Sequence, residues 1–161
     1  CENCPLQSRP GLRPLEPQQL AYMGEFKEGE IALEGGESLL EQGEEGSRLY
    51  TLIEGVLIRF RKLDDGRRQI VSFMFPGDLV GLQSAFDEPA AHAVEALVDA
   101  RLCRFPRGRF TELIASHPGL GYDITWLAAQ EETALEGHIV SLGQRSARAA
   151  HTGAAQLLAE S

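Results

Sequence analysis

The chain has 161 residues, 43% of them apolar, and a formal charge of −9, which suits one well-buried domain with an appendage. No apolar run approaches the ~18 residues of a membrane span, and three cysteines are too few for a disulfide scaffold. The acidic balance lacks the Lys and Arg excess that grips nucleic acid unaided. With no signal peptide visible, the expectation is a soluble, cytoplasmic protein with reduced thiols and no membrane association.

The chain opens on CENC, with Cys1 and Cys4 two residues apart, ahead of Cys103 far downstream. RPLEPQQLAYMGEFKEGE then reads as a short helix, with Pro17 in its first turn and Leu20, Met23 and Phe26 at helical spacing. Residues 28–45 carry seven glutamates and no Lys or Arg, the pattern of a solvated acidic face. Beyond it, recurrent glycines separate runs rich in β-branched and aromatic residues: LYTLI (49–53), VLIRFRKL (56–63), RQIVSFMF (68–75) and VEALVDARLCRF (94–105). Asp64-Asp65-Gly66 joins two of them as a tight hairpin. Many short strands between turns predict a mainly β sandwich or jelly roll, not an α/β sheet.

After Pro106 the period becomes helical. Phe110, Leu113 and Ile114 predict a short helix that breaks at His117-Pro118, and residues 119–148 predict a longer one. Ile124, Leu127, Ala128, Leu135, Ile139 and Leu142 recur along it at spacings of three, four or seven. Thirty residues span ~45 Å, more than a small β domain needs for cover, so a second copy is the expected partner. Gly137 and Gly143 each weaken that helix by about 1 kcal/mol relative to Ala. Trp126, near its start, reads as a core or interface anchor.

In order and spacing, FKEGE, EGGESLLEQGEEGSRLYTLIEGVLIRF, DDGRRQIVSFMFPGDLVGL, VDARLCRFPR and HPGLGYDITWLA together resemble the effector domain of the Crp/Fnr superfamily of bacterial transcription regulators. The resemblance implies a double-stranded β-helix jelly roll of the cyclic-nucleotide-binding type and a long dimerisation helix, followed by a DNA-binding helix-turn-helix. It divides the chain into an N-terminal cysteine segment (1–13), a sensory roll with flanking short helices (14–117), a dimerisation helix (118–148) and the start of a DNA-binding domain (149–161). The helix-turn-helix itself is expected to be missing after Arg148. The implied protein is a homodimer through Ile124, Ala128, Leu135, Ile139 and Leu142, with DNA contacted only through the missing domain. The other reading is a stand-alone ligand-binding or interaction protein that pairs with a full-length relative.

In nucleotide-binding members of this family a carboxylate follows the glycine of GDxxG, and an Arg followed by a small hydroxyl residue comes about ten positions later. Those positions here are Leu82, His92 and Ala93. A leucine cannot accept the ribose hydrogen bond, and a neutral imidazole lacks the guanidinium fork. Cyclic nucleotide is therefore not the expected ligand, although a pocket in the roll could take another anion or an apolar molecule.

The oxygen-sensing Fnr branch holds a [4Fe–4S] cluster through four cysteines. Cys1, Cys4 and Cys103 match three of them, and the fourth position falls on Pro10. A carboxylate such as Glu2 or Glu16, an external thiol or a cysteine upstream could complete the set. A thiol switch, a zinc site completed by one histidine, and inert cysteines stand beside the cluster as alternatives. Arg101, Arg104, Arg107 and Arg109 form a basic cluster that could meet RNA polymerase or simply pair with the glutamates. The four histidines are too scattered for a metal-bearing enzymatic jelly roll, and no nucleophile elbow is present. An enzyme is not expected.

Overall fold

The computed structural model describes residues 3–8, 10–45, 48–81, 89–130, 137 and 139–144. They divide into two compact units, one up to Thr125 and one from Trp126.

The first unit begins with a 3-10 turn, Pro5–Ser8, closed by Ser8 Oγ donating to the Pro5 carbonyl at 3.0 Å. Helix α1 spans Pro17–Phe26, as its periodicity predicts. Proline opens it at a position whose N–H would lack an intrahelical partner, and the Gln19 side chain accepts the Glu16 N–H at 3.0 Å. Phe26, at its end, is buried.

Eight strands follow among the described residues: β1 (Gly29–Leu33), β2 (Ser38–Leu40), β3 (Arg48–Glu54), β4 (Leu57–Lys62), β5 (Arg68–Met74), β6 (Leu79–Val80), β7 (Ala93–Ala96) and β8 (Ala100–Pro106). They form two sheets ordered β1-β8-β3-β6 and β2-β7-β4-β5, and every pairing is antiparallel. That order is a jelly roll, as expected. The β4–β5 hairpin turns on Asp64-Asp65-Gly66: Gly66 has φ +84°, and Asp65 accepts the Arg67 N–H at 3.0 Å.

The structure differs from the sequence expectation over 94–105. That continuous run of strand formers is two strands in different sheets, because long-range bonds turn the chain at 97–99. Leu97 N–H donates to the Val56 carbonyl at 2.9 Å, and Asp99 Oδ1 accepts the Gly35 N–H at 2.9 Å. The glutamate-rich stretch is also more than a solvated face. It contains β1 and β2, and Glu37 and Glu44 close its turns by accepting the N–H groups of Glu34 and Glu41.

Between the sheets lies one core, in which Leu52, Val80, Ala100 and Leu102 meet Leu57, Met74, Val94 and Ala96. Each large member fully buried there contributes about 1.5–3 kcal/mol. A second core covers the outer face of the β1-β8-β3-β6 sheet, where Phe26, Leu49, Cys103, Phe105, Leu113 and Leu120 pack together. Phe26 and Phe105 stack with centroids 6.2 Å apart. After a 3-10 turn at Arg107–Arg109, α2 (Phe110–Ser116) lays Leu113 into this second core and ends before His117-Pro118, as predicted.

Residues 118–130 are helical, as are 137 and 139–144. In the second unit Ile139, Val140 and Leu142 are exposed. Among the described residues, no helix is long and apolar enough to cross a membrane.

Candidate functional site

Antiparallel register builds the most chemically loaded place in the roll. Cys103 of β8 stands opposite Glu30 of β1 and Thr51 of β3, with their side chains on the outer face of that sheet. The N-terminal segment and α1 come over this face and leave a cavity of about 950 Å³. Its walls include Cys4, Leu20, Lys27, Glu30, Arg101 and Cys103.

Glu30 bridges two cations, accepting from Lys27 Nζ at 2.7 Å and from Arg101 Nη1 at 3.1 Å. Hydrogen bonding from those two side chains, Lys27 first, holds the Glu30 carboxyl below its ordinary range. Lys27 in turn is raised, chiefly by its hydrogen bond to Glu30. Burial pushes the Cys4 thiol up, and the neighbouring Cys103 adds to that rise against an opposing bond from the Leu6 backbone.

Cys103 is 4% exposed and Cys4 is half-buried; Cys1 lies outside the described residues. The N-terminal segment is thus docked on the roll: a Cβ added at Gly77 would lie 3.3 Å from the Pro5 carbonyl. The described donors do not fit a four-sulfur cluster. They amount to two thiols with an ammonium beside one of them, and no three His, Cys, Asp or Glu side chains gather among the described residues. Pro10 offers no ligand.

The roll's interior holds a residue that sequence reasoning missed. Arg59 of β4 is 4% exposed and donates to the Met74 sulfur at 3.8 Å. The signal was present in LIRFRK, where Arg59 alternates with Ile58 and Phe60 and so shares the inward face of Leu57. His92, just before β7, is half-buried, and Ala93 is buried against Ile58 and Phe60. Leu82 lies outside the described residues.

Burial, and then the charges of Arg59 and Arg61, push His92 below its ordinary value of 6.5. The folded chain therefore takes up this proton less readily than the unfolded one. Stability is complete above about pH 6.5 and falls as pH drops through the lowered folded value. In His92→Gln the fall in urea midpoint between about pH 7 and pH 5 is expected to shrink; a profile identical to the parent's would rule His92 out as its source.

A family model described as cyclic nucleotide-binding domain matches residues 30–117. Nitrogen fixation regulation protein FixK of Bradyrhizobium diazoefficiens is 31% identical over 148 residues, covering 91% of this chain and 61% of that protein. Transcriptional activator protein FnrL of Cereibacter sphaeroides is 25% identical over 148 residues, covering 92% of this chain and 58% of that protein. Among solved structures, the catabolite activator protein of Thermus thermophilus superposes with a TM-score of 0.68 at 25% identity, over 85% of this chain and 63% of that one.

The chain belongs to the cyclic nucleotide-binding domain family. The two relatives named above are transcription regulators of the Crp/Fnr type, and the chain spans about 60% of their length. Both named relatives are regulatory proteins, and the region matched to the family model is its nucleotide-binding-type domain.

Within this domain the arginine cluster is largely neutralised. Arg101 also pairs with Glu54 at 2.9 Å, Arg104 and Arg48 both face Glu28, and Arg109 forks onto Glu112 at 3.0 and 2.8 Å. Of the helix residues named for dimerisation, Ile124 packs against the second core of its own chain. Ala128 is half-buried, Ile139 and Leu142 are exposed, and Leu135 lies outside the described residues. Trp126 is half-buried.

Proposed function

We propose that this chain is the sensing and dimerising part of a Crp/Fnr-type transcription regulator. It receives a redox or small-molecule signal and passes it through the helical residues after 118 to a DNA-binding domain beyond residue 148. The observation that carries the redox arm is the convergence of Cys4 and Cys103, from opposite ends of the roll, on one cavity beside Lys27. The kinship with FixK and FnrL supports the regulatory arm. Cyclic nucleotide is not the signal, because His92 is held in its neutral form at pH 7 and Leu82 offers no acceptor for a ribose hydroxyl. The protein acts in the cytoplasm, where its promoters are.

Dimerisation rests on Ile139, Val140 and Leu142, three neighbouring apolar side chains exposed on a helical stretch. A symmetric partner would bury them twice over, at about 1.5–3 kcal/mol for each large side chain. Ile139→Glu with Leu142→Glu is expected to raise the dimer dissociation constant about a thousandfold or more in sedimentation; an unchanged dimer would remove these residues from the interface. On the same protein, purified anaerobically, iron and sulfide are assayed. Stoichiometric iron and sulfide lost on Cys103→Ala would make a cluster the sensor in place of the thiols.

A further inference from the structure

We propose that Cys4 and Cys103 are the two halves of a disulfide formed by a hydroperoxide, a covalent latch between the N-terminal turn and β8. The inference rests on the redox arm of the reading above and names its chemistry. It differs from the local Cys1–Cys4 pairing that a Cys-x-x-Cys spacing suggests.

Three features of the fold lead to it. Both sulfurs line the same cavity, and that cavity, at about 950 Å³, admits a small oxidant with ease. Their carriers differ in freedom. Cys103 is fixed in the middle of β8 between β1 and β3. Cys4 sits at the head of the Pro5–Ser8 turn, where the Gln7 N–H donates to its carbonyl at 3.0 Å. A disulfide needs Cα atoms about 4.4–6.8 Å apart, and any approach falls to that turn, which can shift without breaking a sheet. Third, Lys27 lines the same cavity, with its ammonium held by Glu30 at 2.7 Å, which sets positive charge in the space where the Cys103 sulfur attacks.

The balance is simple. The Cys103 sulfur attacks the O–O bond, becoming a sulfenic acid and releasing one alcohol, or water if the oxidant is hydrogen peroxide. The Cys4 sulfur then displaces the hydroxyl from that sulfenic acid, and the Cys4 proton leaves with it as water. Each sulfur loses one electron overall, and the peroxide gains two.

The test uses the full chain, reduced and then exposed to a small excess of hydrogen peroxide. Remaining thiols are alkylated, the protein is digested without reductant, and the peptides are weighed. The expected product is the Cys4 peptide joined to the Cys103 peptide within one chain, separated again by dithiothreitol. Cys4→Ser is expected to leave a Cys103 sulfenic acid that dimedone traps, and Lys27→Met to slow its appearance on the order of tenfold. A Cys1–Cys4 linkage, a linkage between two chains, or two alkylated thiols after oxidation would each overturn the latch. Failure of the latch leaves the dimer measurement untouched, and a monomeric chain that still forms the latch would sink the dimer alone.

Discussion

Gly55→Ala is expected to destabilise the roll by about 3 kcal/mol or more, a large share of the roughly 5–15 kcal/mol that holds a domain of this size together. Gly55 has φ +99° at the turn from β3 to β4. An added Cβ would stand 2.5 Å from the Asp99 carbonyl oxygen and 2.8 Å from the Ala100 Cα. Both are backbone atoms, one in the turn at 97–99 and one in the first residue of β8, so neither can swing aside. The cost combines about 1–2 kcal/mol for a side chain in this conformation with about 1–3 kcal/mol for forced backbone shifts. Gly66→Ala separates the two contributions. Its φ is +84° but its Cβ would meet nothing within 4 Å, so only the conformational part, about 1–2 kcal/mol, is expected. Equal urea midpoints for the two variants would show that the contact with Asp99 and Ala100 carries no weight.

Leu102→Ala is the second large effect. Leu102 is 0% exposed and stands between Leu52 of β3 and Ile31 of β1, on an inner strand of its sheet. Truncation removes buried methyl groups and leaves a cavity that two sheets cannot close, for a loss of about 2–5 kcal/mol. The melting point should fall by roughly 10 °C or more. Leu97→Ala, five residues earlier in the chain and 51% exposed, is expected to stay within about 0.5 kcal/mol of the parent. A small loss at Leu102 would mean that the sheets slide together to fill the gap.

What the sequence made legible follows where local preference and tertiary demand agree. β3, β4 and β5 are rich in strand formers, and β4 and β5 flank a turn that Asp-Gly chemistry dictates, so they stand out unaided. The edge pieces β1, β2 and β6 do not. β2 and β6 have three and two residues, held by their neighbours more than by propensity, and β1 is diluted by glutamates. The break at 97–99 was invisible because its causes, Val56 and Gly35, lie far away along the chain. At the candidate site, three cysteines announced sulfur chemistry, but nothing local said that Cys4 and Cys103 would share a cavity. Lys27 gave no signal at all; register and the fold of α1 bring it there. Arg59 was readable only through alternation, and the runs of apolar neighbours on both sides of it hid the charge.

The order of strands also has a consequence in time. β4 and β5 close on each other through a short local turn, within microseconds once both exist. β2 must wait for β7, and β1 for β8, since pairings of such separation are slow to find and bring no reward until both partners are present. On a ribosome, the first sheet stays incomplete until residues up to Pro106 have emerged. Until then Cys103 has no strand to fix it and Cys4 has no surface on which to dock. In the proposed latch it is therefore the closed roll that presents the two sulfurs to one another, whereas in a newly made, unfinished chain neither is held in place.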